Sequence, residues 1–99
     1  MGRAKLFVRK IDAELQQRVG STLRRGRITL VEKMLLDACI MATDPSPAMM
    51  KDAKSEINEQ LEMLQAAKEV DPSMAIDVGD LHPAIWEFSQ MVTRGQRPQ

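Results

Sequence analysis

Thr29 to Thr43, Thr-Leu-Val-Glu-Lys-Met-Leu-Leu-Asp-Ala-Cys-Ile-Met-Ala-Thr, carries only three charged side chains, Glu32, Lys33 and Asp37. At about 100° per residue, Leu30, Val31, Met34, Leu35, Ala38, Met41 and Ala42 form a broad apolar stripe, with Leu36, Cys39 and Ile40 on the opposite face. A helix apolar nearly all round is expected to be the buried centre of a fold. Thr29 followed three residues later by Glu32 reads as a capping box. Asp44-Pro45-Ser46-Pro47 ends the helix, because the residue before a proline is pushed out of the α region.

C-terminal to this stretch, Ser46 is expected to cap a helix with Pro47 at its first position, running to about Val70 and stopped by Asp71-Pro72. Met49, Met50, Ala53, Ile57, Leu61, Leu64 and Ala67 make its stripe, and Met50, Ile57 and Leu64 repeat at the seven-residue spacing of a coiled-coil seam. Ser73 to Gly79 is a connector suited to lying across the core in extended form. The last helix is expected from about Asp80, with Pro83 in its first turn and Gly95 after its end. Leu81, Ala84, Ile85, Phe88, Met91 and Val92 face inward together in this reading. Trp86, the only tryptophan, falls among His82, Ser89, Gln90 and Thr93 on the face expected to be wet.

N-terminal to the central stretch the pattern supports two readings. As a helix, Ala4, Phe7, Val8, Ile11, Leu15, Val19 and Thr22 share one face. As strand then helix, Lys5 to Arg9 alternates, Asp12 caps a helix over 13–25, and Gly26 stops it. The second reading resembles the ribbon-helix-helix family of DNA-binding proteins over about 40 residues: a short basic strand, an amphipathic helix, a turn at Gly26-Arg27 and a second, strongly apolar helix. The resemblance implies strand pairing between two chains and assigns Lys5, Phe7 and Arg9 to the DNA groove.

Composition narrows the function classes. Ninety-nine residues make one domain, and a 3% aromatic content without tyrosine favours packed helices. The expected architecture is all-α: one domain over 1–99, a small bundle of four helices, the first segment being either a helix or a short β-strand plus helix. Zero net charge conceals an asymmetry: residues 1–27 hold eight cations against two carboxylates, a net +6, so the acidic half over 28–99 carries −6. Arg24, Arg25 and Arg27, around Gly26, are candidate phosphate contacts, beside Lys5, Phe7 and Arg9 as the groove contacts that the resemblance implies. Trp86, with His82, Met49 and Met50, is the candidate surface for a protein partner.

One histidine and one cysteine offer no catalytic set, and no glycine-rich phosphate loop is present, so neither an enzyme nor a small-molecule substrate is expected. Asp71, Asp77 and Asp80 do not have the spacing of a calcium loop, so no metal and no cofactor are expected. No apolar run approaches a membrane span and no signal segment is recognisable, which points to a cytoplasmic setting. Two functions follow: a small dimeric DNA-binding regulator using its basic segment, or a helical adaptor or inhibitor that holds a partner protein through Trp86 and the methionines. Self-association into a homodimer is expected in either case, because so small a core leaves a thin margin.

Overall fold

The computed structural model describes residues 9–10, 13, 23–73 and 75–96. Among them are three α-helices, α1 (Leu23–Met41), α2 (Pro47–Val70) and α3 (Pro83–Thr93), with a single 3₁₀ turn at Val78–Asp80 and no strand. The all-α expectation holds, with three helices among these residues instead of four. Lys5 and Phe7 lie outside the described residues, as does most of the first segment. Arg9 and Lys10 are helical, so the strand reading of Lys5 to Arg9 fails at its C-terminal end.

Gly26 does not stop a helix. It lies inside α1, and among the described residues the only positive φ belongs to Gly95. Glycine inside a helix costs about 1 kcal/mol against alanine, which neighbouring turns that bury side chains readily offset. One turn on, Ile28 and Thr29 are buried. The turn expected at Gly26-Arg27 is therefore replaced by continuous helix, and no helix begins at Thr29.

The core face of α1 is also rotated from the expected stripe. Ile28, Leu35, Leu36, Ala38, Cys39 and the adjoining Ala42 are buried, whereas Leu30 is 60% and Ile40 42% exposed. Thr29 and Glu32, read from sequence as a cap, sit on the buried face at 3% and 0% exposure. Two polar residues facing inward turn the helix, and Leu30 moves out to solvent.

The helix ends lie close to the expected positions. Pro47 opens α2 with Ser46 at the N-cap, although Ser46 makes no side-chain cap; instead its N–H donates to Asp44 Oδ1 at 2.8 Å in a tight turn. α2 buries Ala53, Ile57 and Gln60 and packs Met50, Leu61 and Leu64 against the core. α3 starts at Pro83, three residues later than expected, because the 3₁₀ turn takes up Val78–Asp80 and His82 becomes the N-cap. It closes on Gly95 at φ 77°, whose N–H donates to Val92 O at 2.9 Å.

On α3 the buried residues are Ile85, Ser89 and Val92. Ser89 is tolerated inside because its hydroxyl donates to Ile85 O at 2.8 Å, one turn back. With Ser89 on the core axis, Trp86 and Phe88 fall on the two flanks and both are half-buried. Trp86 is thus partly covered by the fold and packs against the core, where the sequence pattern left it on the wet face.

Two substitutions check this arrangement. Gly26→Ala is expected to raise stability by about 0.5–1 kcal/mol in urea melts, as at an ordinary helical site, whereas a glycine turn would make it destabilising. Leu35→Ala is expected to cost about 2–5 kcal/mol.

Candidate protein-binding cleft

α2 presents Leu61, Leu64, Gln65 and Lys68 at helical spacing along its C-terminal half, and the connector crosses opposite them with Ile76, Asp77 and Val78. Trp86 of α3 completes the lining, and the cleft holds about 350 Å³, at the low end of the ~300–1,000 Å³ typical of binding clefts. Leu64, Ile76 and Trp86 make it apolar, with charges confined to its edge. Ile76 is buried and anchors the connector, while Val78 is 43% exposed.

The connector is fastened on both sides. Lys68 of α2 donates to Asp77 Oδ1 at 3.0 Å. From α1, Arg24 donates to Ala75 O at 3.2 Å and to Asp80 Oδ2 at 2.9 Å, and the same carboxylate oxygen accepts the Asp77 N–H at 2.9 Å. The Asp77 N–H and then the Arg24 guanidinium hold the Asp80 carboxyl below the usual carboxylate range. A depressed pKa keeps the clasp intact above about pH 4, the unfolded value, and releases it as pH falls through the lower folded value.

The start of α3 is set by Glu32. Its Oε2 accepts the His82 backbone N–H at 2.7 Å, fifty residues away in sequence. His82 in turn accepts the Ala84 N–H on Nδ1 at 3.1 Å, which leaves its ring proton on Nε2. The Ile85 and Trp86 N–H groups donate to His82 O at 3.0 and 3.1 Å, and Pro83 has no N–H to satisfy. A buried carboxylate thus stands at the positive end of the α3 dipole, a favourable placement. Trp86 follows His82 by one turn.

The fold treats the remaining candidates differently. His82 is a helix cap and does not line the cleft. Met49 and Met50 are half-buried near the start of α2. At 1.5 Å per residue, Met50 is about 16 Å along the helix from Leu61, and neither methionine lines the Trp86 cleft. Arg24 is engaged within the fold; Arg25 points about 100° away from it around α1 and, like Arg27, is half-buried. The three guanidiniums therefore do not share one face. Arg9 is exposed.

Burial pushes the Cys39 thiol up to about 11, opposed by Ser89 Oγ 3.9 Å away, so it is a protonated core group at neutral pH. Among the described residues, no group of three or more His, Cys, Asp or Glu is placed to hold a metal ion, and no helix is long and apolar enough to cross a membrane. The chain matches no protein-family model, no curated protein and no solved structure.

Sequence reasoning missed Glu32 and Arg24 as positioning residues, since both partners lie about fifty positions downstream. Glu32→Ala is expected to cost about 2–4 kcal/mol in urea melts, because it removes the partner of a part-buried donor and leaves a cavity at a fully buried side chain. Glu32→Gln, which keeps an acceptor, should cost less. Equal losses would contradict the hydrogen bond as the source of the effect.

Proposed function

We propose that this chain is a non-enzymatic helical interaction module that binds a partner protein by taking an apolar side chain into the Trp86 cleft. The observation that carries this reading is Trp86 itself: half-buried, held in place by the start of α3, and lining an apolar cleft about the size of one large side chain and its surroundings. Tryptophan in such a setting supplies large contact area at low entropic cost, which is why it recurs at interface hot spots.

Charge at the cleft edge defines the partner further. Gln65 lines the cleft, and Glu62 and Glu69, three residues before and four after it, flank it on the same exposed side of α2. Asp77 stands on the opposite edge in its ion pair with Lys68, so the acidic excess of the rim is that of Glu62 and Glu69. An aliphatic or aromatic anchor flanked by Lys or Arg suits an apolar floor with an acidic rim. Peptide-display selection on the folded chain should enrich such segments, and Trp86→Ala should weaken the selected binders by about tenfold or more, the loss of one hot-spot side chain. Binders unaffected by Trp86→Ala, or enriched in acidic residues, would reject the reading.

The +6 charge of residues 1–27 favours a second reading, a dimeric DNA-binding regulator of the kind the ribbon-helix-helix resemblance implies. Affinity for duplex DNA would then fall steeply with salt, as neutralised phosphates release counterions. Substitutions at Lys5, Arg9, Arg25 or Arg27 should each weaken it. Arg24→Ala should act mainly by loosening the connector. No binding at low salt would remove this reading and leave the first.

A further inference from the structure

The outward side of α1 carries a second pattern that the cleft does not use. Gly26, Leu30, Lys33, Asp37 and Ile40 recur at alternating spacings of four and three, so they form one seam along the helix, on the side away from the buried Leu35 and Cys39. Leu30 is 60% and Ile40 42% exposed, and a Cβ added at Gly26 would meet nothing within 4 Å. An apolar pair this exposed on a central helix is not accounted for by packing among the described residues.

The seam is self-complementary. Leu30 and Ile40 stand at equal distances on either side of residue 35, and so do Lys33 and Asp37. Two copies of α1 laid antiparallel about a two-fold axis level with residue 35 would bring Leu30 against Ile40 of the other copy, and Lys33 against its Asp37, each contact occurring twice. A parallel pair would instead stack lysine near lysine and aspartate near aspartate. This is the property an isologous interface requires, the same patch meeting itself under two-fold rotation.

We infer that the outward seam of α1 is a homodimer interface in which two copies of this chain pair their α1 helices antiparallel about residue 35. One helix pair buries less than a standard protein–protein interface, so the association is weak, with a dissociation constant in the range of about 1–100 µM. The inference is independent of the Trp86 cleft, which no residue of α1 lines.

Sedimentation equilibrium of the full chain tests it by charge exchange. Lys33→Glu alone sets two carboxylates facing each other across the pair, and Asp37→Lys alone places two lysines together. Each should weaken self-association by about tenfold or more, since like charges juxtaposed across an interface are costly. In an equimolar mixture of K33E with D37K, the heterodimer has Lys33 against Asp37 in one contact and the same pair with its charges reversed in the other, so neither contact sets like charges together and mixing should restore dimers, specifically as heterodimers. Both substitutions are near the surface, and unchanged helical circular dichroism would show that folding is intact. The inference is overturned if the wild-type chain remains an 11 kDa species at about 100 µM. It is equally overturned if the single variants dimerise as the wild type does, or if mixing restores nothing.

Discussion

A carboxylate at zero exposure, that of Glu32, is the constraint on which the rest of this small fold depends. Taking a carboxylate out of water is costly unless hydrogen bonds replace the lost solvent, so Glu32 restricts the ways in which α1 and α3 can pack. The His82 N–H meets that requirement at Oε2, at 2.7 Å. Apolar contacts among Leu, Ile and Ala tolerate some rotation about a helix axis. A buried carboxyl group held by a directional hydrogen bond does not. By fixing which side of α1 faces in and where α3 begins, Glu32 sets the height and orientation of Trp86 one turn later.

The connector completes the functional surface from the same helix. Arg24, two turns before Glu32, fastens residues 75–80 from one side and Lys68 of α2 fastens them from the other. These ion pairs are partly exposed and each contributes little stability alone. Their consequence is positional: they hold Ile76 and Val78 against α2 so that a cleft remains in front of Trp86. The outward side of α1 takes no part in that cleft. A second copy on α1 and a peptide over Trp86 would therefore occupy separate surfaces, and a dimer would offer two clefts.

Much of the architecture was legible in the sequence, and what was missed has one physical origin. Pro47, Asp71-Pro72, Pro83 and Gly95 act on the backbone locally, so the bounds of α2 and the end of α3 could be read from them. The rotations of α1 and α3 could not. Both were inferred by sending polar side chains outward, yet Thr29, Glu32 and Ser89 are buried, and two of them bond across or along the fold, Ser89 to Ile85 and Glu32 to His82. Each such residue turned its helix, exposing Leu30 in one case and drawing Trp86 into the cleft wall in the other. Gly26 misled for a related reason, since glycine permits a turn without demanding one. Arg24 was legible as a cation but not as a clasp, because its partners lie across the fold.

The most direct measurement of the central claim is the hydrogen exchange of the His82 backbone amide, followed residue by residue by NMR in the full chain. If Glu32 holds that N–H in a buried bond, His82 exchanges only on global unfolding, as slowly as the core amides of Leu35 and Cys39, even though it sits at a helix N-terminus where amides are ordinarily open to water. Exchange of His82 at the rate of the exposed connector amides would contradict the account, because α3 and Trp86 would then be placed by packing alone.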